Sequence, residues 1–339
     1  MSPGRIVCFG EVLLRLSAPG AGRLLQSPQL DVCVGGAEAN VAVSLARFGR
    51  EAAVVSLLPD NALGRAARDE LRRHGVDTSG VRFAPGRMGL YFLSPGAVLR
   101  PSEVTYDRAG SAFAVADPGA VDWETRLSGA AWLHLSGVTP AIGAGAAEAA
   151  VRAAREARRL GVKVSFDGNF RATMWAAWQG DAPAILRAIF ECADVAFADE
   201  RDIGLVLGGD YSRGSVEERR RRAAEAAFAA FPNLQRLAAT VRTHHGVDRQ
   251  DLSATLATRE AWITTKAYPL GGIVDRIGAG DAFAAGVLHG LLGGESDRAS
   301  LEFGLAAAVL KHSIPGDFNL VQEAEVRALV AGDGLDVKR

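Results

Sequence analysis

The sequence predicts an α/β protein with a mostly parallel central sheet sandwiched by helices and a small second β-sheet. Three observations predict this. Short β-branched runs alternate with longer segments of helical spacing, the order that builds a parallel sheet covered on both faces. Glycines stand where the helical patterns stop, the usual place of a residue just past a helix cap. Two stretches, residues 11–34 and about 85–108, break the rhythm with strand-like runs and no helix between them.

In chain order, Ile6 to Gly10 reads as a first strand, and Glu38 to Phe48 as a helix stopping at Gly49. Ala53 to Leu58 is strand-like. After Asp60, the expected N-cap, Ala62 to His74 forms a helix ending at Gly75. Ala131 to Leu135 is a strand, Gly145 to Leu160 a helix closed by Gly161, and Val162 to Phe166 a strand. Ile185 to Cys192 is helical, while Val195 to Ala198 and Leu237 to Val241 are strands. Three helices close the chain: Ala279 to Leu292, Ala299 to Lys311 and Val321 to Val330. Within the two irregular stretches, Val12 to Leu16, Leu90 to Ser94 and Val104 to Tyr106 are extended. From pattern alone they are either surface insertions or a separate sheet acting as a lid over a cleft. No repeat, linker or composition shift marks a boundary, so residues 1–339 read as one domain.

The 339 residues are 48% hydrophobic with a formal net charge of -1, ample for a large core. Near-neutrality argues against nonspecific binding to nucleic acid or an anionic membrane surface. Cys8, Cys33 and Cys192 form no CxxC pair or zinc pattern, and read as small buried hydrophobes in a reducing compartment. No window approaches the ~20 apolar residues of a membrane span, and the N-terminus has no signal-peptide pattern, so a cytoplasmic protein is expected.

The strongest local signal is the segment Asp275-Arg276-Ile277-Gly278-Ala279-Gly280-Asp281, which opens a helical run. Two glycines let the backbone turn tightly, and the helix that follows aims free N–H groups at the turn, favouring an anion there. At that helix terminus the dipole is expected to lower the pKa of Asp281 and keep it ionised. Asp281 is then either a plain capping residue or a base that takes a proton from an attacking hydroxyl. A second glycine turn, Gly35-Gly36-Ala37-Glu38-Ala39-Asn40, opens another helix with Asn40 one turn in. There is no GxxxxGK[ST] motif, and no GxGxxG follows the first strand, which disfavours a P-loop NTPase or a Rossmann dehydrogenase.

Together the two segments resemble the paired motifs of the PfkB, or ribokinase-like, carbohydrate kinases: GGxxxNxA near the N-terminus and DxxGAGDxFxxG near the C-terminus. The resemblance spans essentially the whole chain. It implies the ribokinase-like fold with a β-sheet lid, ATP and Mg2+ as cofactors, and Asp281 as the catalytic base. It also implies Gly278, Ala279 and Gly280 as the anion hole, and a dimer formed through the lid. Phosphoryl transfer demands mostly positioning and charge neutralisation, which such a set can supply.

Within the family, several details are similar to the 2-keto-3-deoxygluconate kinases. These are Arg276 after the motif's first Asp, the segment Thr105 to Ala112, Phe166 to Arg171 followed by Trp175, and Lys311-His312-Ser313-Ile314-Pro315-Gly316-Asp317-Phe318-Asn319. Carried over, the acid-sugar site comprises Gly36, Asn40, Tyr91, Tyr106, Arg108, Arg171 and Asp317. The fork of an Arg guanidinium matches a planar carboxylate, and tyrosines can pack along the carbon chain. The nucleotide side comprises Asp199, Thr240, Arg242, Gly278, Gly280 and His312, with Asp202 acting on the metal through water. Here the sequence departs from the family, because Asp199 and Asp202 stand where Asn and Glu are common. The usual glycine-containing nucleotide loop is replaced by Thr240 to Asp248, in which His244 and His245 read as loop residues. The alternatives are a kinase for a neutral sugar, a non-catalytic sugar-binding regulator on the same scaffold, and an unrelated sugar-phosphate dehydrogenase.

Overall fold

The computed structural model describes residues 4–332. Strand β1 (Arg5–Phe9) is apolar beyond its first residue and buried on both sides, as a central strand under two helical layers must be. The chain continues through β2 (Leu13–Ser17), β3 (Asp31–Gly35), α1 (Ala37–Arg47), β4 (Ala52–Pro59), α2 (Ala62–Arg73), β5 (Asp77–Ala84), β6 (Gly89–Ser94) and β7 (Glu103–Asp107). Next come α3 (Trp123–Leu127), β8 (Ala130–Ser136), α4 (Ala144–Arg159), β9 (Lys163–Asp167), α5 (Ala172–Trp178), α6 (Ala182–Phe190), β10 (Val195–Phe197), α7 (Glu200–Leu207) and α8 (Val216–Ala230). The last third holds β11 (Arg236–His244), β12 (Arg249–Ala257), β13 (Trp262–Thr264), β14 (Tyr268–Gly271), α9 (Ala279–Leu292), α10 (Asp297–Lys311) and α11 (Glu323–Ala331). No helix among the described residues is long and apolar enough to cross a membrane.

The large sheet has the order β13-β12-β11-β10-β9-β8-β1-β4-β5, with β14 also paired to β12. From β11 to β5 every pairing is parallel; β12, β13 and β14 add an antiparallel edge. Each face buries its own core. One is built on Phe9, Leu133, Phe166, Phe190 and Phe231, the other on Ile6, Leu45, Val54, Phe283 and Phe303. From β1 the chain runs outward to β4 and β5, then returns to β8 on the other side of β1. Ligand clefts form outside the carboxyl ends of strands at such a reversal.

A separate four-stranded sheet, β3-β2-β6-β7, is assembled from the two irregular stretches of the sequence. The cross-strand row Cys33, Arg15, Tyr91 and Tyr106 occupies one face. The next row, Val32, Leu16, Phe92 and Thr105, lies on the opposite face because side chains alternate along a strand.

Three local expectations are corrected. The N-cap of α2 is Asn61, whose side chain accepts from Gly64 N at 3.0 Å; Asp60 instead pairs with Arg65. Cys33 is half-buried beside Arg15 and not in a core, unlike Cys8 and Cys192. His244 ends a strand, and its neighbour His245 bonds to Asp251 at 2.8 Å.

Candidate functional site

A cleft of about 1150 Å³ lies at the carboxyl ends of β9, β10 and β11, and the small sheet supplies one wall through Leu13, Tyr91, Val104 and Tyr106. Its floor is the start of α9. Gly278 has φ +78, and a Cβ there would sit 2.0 Å from the carbonyl oxygen of Asp317, so only glycine fits. At the start of α9, Ala279 N reaches Arg276 O at 3.4 Å and Ala282 N reaches Gly278 O at 2.8 Å, with no backbone acceptor for the two residues between them among the described residues. The amides of Gly280 and Asp281 therefore stay free at the helix's positive end, an arrangement suited to an anion. Gly280 lines the cleft with no atom within 4 Å of its Cβ direction, whereas Ala279 packs inward.

Asp281 stands in the first turn of α9 and is 9% exposed. Asn40 Nδ2 donates to its Oδ2 at 2.6 Å, so the two glycine turns of the sequence meet through these side chains. Gly36, which opens α1, has φ +138, and a Cβ there would lie 2.2 Å from Glu11 O. Burial pushes Asp281 up to about 7, helped by the nearby Glu38 and Asp317 charges and opposed by Asn40 and Arg171. The expectation that the helix dipole keeps its pKa low is therefore overturned: desolvation outweighs the helix end. Glu38, fully buried, accepts from Ser136 N, Ser136 Oγ and Thr139 Oγ1, and burial raises its pKa as well.

Two more carboxylates face the same space. Burial holds Asp167 well above the usual range, with Asp281 and Asp202 adding repulsion. Asp202 is pushed up to about 6 by burial and by Asp199. Asp199 and Asp202 form the capping box of α7: Asp199 accepts from Arg201 N and Asp202 N, and Asp202 Oδ2 accepts from Asp199 N at 3.0 Å. Burial would raise Asp199, but its hydrogen bonds with Arg201 prevail and lower it. Among the described residues no three His, Cys, Asp or Glu side chains are grouped to hold a metal by themselves. The hard oxygens of Asp167 and Asp202 fit Mg2+, an ion that keeps waters and shares its ligands with substrate phosphates.

At the small-sheet end, Arg108 lines the cleft at 6% exposure. Its Nε donates to Glu11 Oε2 at 2.5 Å, and Glu11 Oε1 accepts from Ser111 Oγ. The expectation is that Arg108 meets the substrate carboxylate; part of its fork is engaged by Glu11. Arg171 is exposed at the cleft, donates only to Phe170 O, and has no ion-pair partner among the described residues. Tyr91 and Tyr106 are neighbours, with ring centroids 6.4 Å apart. Tyr91 OH donates to Asp317 Oδ2 at 2.8 Å, and Asp317 also pairs with Arg15 at 3.2 Å. Burial pushes Asp317 up to about 6, with Arg15 opposing.

Thr240, Arg242 and Arg276 also line the cleft. Arg242 Nε is buried without a partner, and burial together with Arg276 pushes this guanidinium down to about 10. Arg242 and Arg276 lie near each other and neither makes an ion pair among the described residues, an arrangement that suits a phosphate chain. His312 does not belong here. It is 3% exposed and absent from the lining, with Nδ1 donating to Ala308 O at 2.6 Å and Nε2 facing Gln250 Nε2 at 3.0 Å. Its carbonyl accepts from Val274 N and Asp275 N, so it supports the motif from behind.

Glu11, Arg15, Glu38, Asp167 and Arg276 went unassigned by the sequence reading. Glu11 carried a usable signal, a carboxylate directly after the first apolar strand. The others are single charges whose importance depends on contacts distant in the chain.

A buried carboxylate beside a glycine turn at a helix start, at the strand ends of a parallel sheet and beside a small second sheet, defines an α/β enzyme of ribokinase-like fold. The chain belongs to the pfkB family carbohydrate kinases, whose profile matches residues 4–321. It is thus a phosphotransferase acting on a sugar hydroxyl. It is 33% identical over 334 residues to a 2-dehydro-3-deoxygalactonokinase of Haloferax volcanii, covering 98% of this chain and 99% of that protein. It is 29% identical over 328 residues to a 2-dehydro-3-deoxygluconokinase of Thermoproteus tenax, covering 92% and 89%. Among solved structures, a 2-dehydro-3-deoxygluconokinase from Thermotoga maritima superposes with a TM-score of 0.91 at 39% identity, covering 97% of this chain and 100% of that one.

Proposed function

We propose that this enzyme transfers the γ-phosphoryl group of ATP to a hydroxyl of 2-keto-3-deoxygluconate or its galactonate epimer. The observation that carries the substrate class is Arg171: a guanidinium with no ion-pair partner among the described residues, lining the same cleft as Asp281, Tyr91 and Tyr106. A neutral sugar gives such a cation nothing to bind, whereas a carboxylate takes its fork. The names of the relatives agree with this assignment. The pairing of Arg108 with Glu11 favours the neutral-sugar alternative to the extent that it removes one cation from the count.

In this reading Asp281 accepts the proton of the attacking hydroxyl, with Asn40 fixing its orientation. The free amides of the Gly278 turn receive the charge developing on the transferred group. Arg242 and Arg276 bind the phosphates of ATP, and Gly36, Tyr91 and Tyr106 seat the sugar chain. Asp202 and Asp167 would hold Mg2+, which would supply neutralisation of phosphate charge when bound. The test is ADP release with MgATP across both keto-deoxy acids, gluconate, fructose and ribose. Preference for a neutral sugar rejects the substrate class and leaves the kinase intact.

We further infer a homodimer formed through the small sheet. Val32 is 58% exposed and stands in one cross-strand row with the half-buried Leu16 and Phe92, an apolar strip that a second copy can cover.

A further inference from the structure

We propose that Arg15, on strand β2 of the small sheet, is a positioning residue for the phosphoryl-binding turn, gripping the two carboxylates that fix its shape. This rests on the kinase reading above. Arg15 Nη2 meets Asp275 Oδ2 at 2.7 Å and Nη1 meets Asp317 Oδ1 at 3.2 Å, with the guanidinium almost wholly buried. Each of these two residues touches the turn, Asp275 through its carboxylate and Asp317 through its backbone. Asp275 Oδ1 accepts from Ile277 N at 2.9 Å, one residue before Gly278, and its Oδ2 also accepts from Gly316 N at 3.0 Å. The carbonyl of Asp317 is the atom packed against Gly278.

Arg15 does not act alone. Tyr91, its cross-strand neighbour on β6, donates to Asp317, so two adjacent strands of the small sheet reach the same loop. Lys311, fully buried, donates to Ile314 O at 2.9 Å and faces Asp275 and Asp317 as the second cation. Two cations and two carboxylates thus close a buried, balanced set behind the turn. A fold needing only cohesion there is served as well by apolar side chains. Ion pairs add orientation, and here they orient the segment three residues ahead of Asp281 while anchoring it to the sheet that walls the sugar end.

The groups facing Asp317 are Arg15 from β2, Cys33 from β3, Tyr91 from β6, Asp275 before α9, Lys311 at the end of α10 and Asp281 on α9. Removing Arg15 takes away the cation that most opposes the upward push of burial on Asp317, so its protonation extends to higher pH.

The test uses full-length Arg15→Met and Arg15→Lys with MgATP and whichever sugar the wild type prefers, after thermal melts establish folding. Arg15→Met should lower kcat about 10- to 150-fold, the value of the one charge-assisted hydrogen bond to Asp275, with sugar KM changed less. Its acid limb should move to higher pH, recovering part of the loss near pH 9, while Arg15→Lys restores part of kcat and keeps the wild-type limb. A merely structural role lowers kcat by the same factor at every pH. That result, a loss confined to KM, or unchanged kcat in folded Arg15→Met overturns the proposal. If Arg15→Met does not fold, Asp275→Asn serves, since its amide oxygen can keep the Ile277 contact; unchanged kcat there overturns the proposal equally. Absence of turnover by the wild type on every sugar rejects the kinase substrate reading itself. An active wild type with an unaffected Arg15→Met rejects only the role of Arg15.

Discussion

At the residue scale, Asp281 is poised by two opposed effects: burial favours its neutral form, and the Asn40 amide favours its charge. A base titrating near 7 matches its proton affinity to neutral conditions, where general-base catalysis is most effective. kcat/KM should therefore rise with pH through about 7. Asp281→Asn should lower kcat about 10²- to 10⁴-fold while leaving sugar binding intact, measured by ADP release and by titration. Stability has its own sign. The folded pKa is raised above the unfolded value, so the stability linked to this proton is full below pH 4 and lost as pH rises through about 7. Asp281→Asn should accordingly melt higher than wild type at pH 8 and not at pH 4. The two cleft arginines should separate in the same assays. Arg171→Ala should cost about 10- to 150-fold in kcat/KM for the acid sugar, little for a neutral one, and almost nothing in stability. Arg108→Ala strands a buried Glu11 and should also destabilise the fold by about 3–5 kcal/mol, read in denaturant unfolding.

At the element scale, α7 shows how one motif serves two ends. Asp199 and Asp202 cap each other's backbone, and the same geometry turns Asp202 toward the cleft. Asp202→Ala should raise the Mg2+ concentration needed for half-maximal rate. The strip on the small sheet makes its own prediction: Val32→Asp should shift sedimentation from dimer to monomer, and a wild-type monomer removes the dimer altogether. Local pattern revealed most of this scaffold. The helix from Ala279 to Leu292 is written in the glycines before it and its apolar length, and the sheet in β-branched runs of strand length. The antiparallel edge and helix α8 were missed, because Arg-rich Val216–Ala230 buries few residues and its pattern reads as surface. At the site, Asp281, Asn40 and the glycine turn were legible because backbone geometry restricts residue choice there. The partnering of Arg108 by Glu11 and the withdrawal of His312 were not, since both depend on which neighbour reaches a charge first.

At the scale of the whole molecule, the cleft joins parts that do not touch in sequence: strand ends of the large sheet, the starts of α1 and α9, and the face of the small sheet. Ligands bridging these parts stabilise the folded state by mass action, independently of chemistry. At about 100 times its Kd, a ligand adds about 2.7 kcal/mol. For a chain of this size that raises the melting temperature by roughly 3–6 °C. Measured with saturating 2-keto-3-deoxygluconate, wild type and Asp281→Asn should show this shift alike, because the base is needed for turnover and not for holding the sugar. Arg171→Ala should lose most of it, because the carboxylate contact is gone. Fructose should produce little shift in any of the three. A wild type stabilised by fructose and indifferent to the acid sugar would reverse the substrate assignment while leaving the fold, the family and the role of Asp281 standing. A shift lost in Asp281→Asn as well as in Arg171→Ala would make that aspartate part of the binding surface and remove the separation between binding and base that the geometry implies.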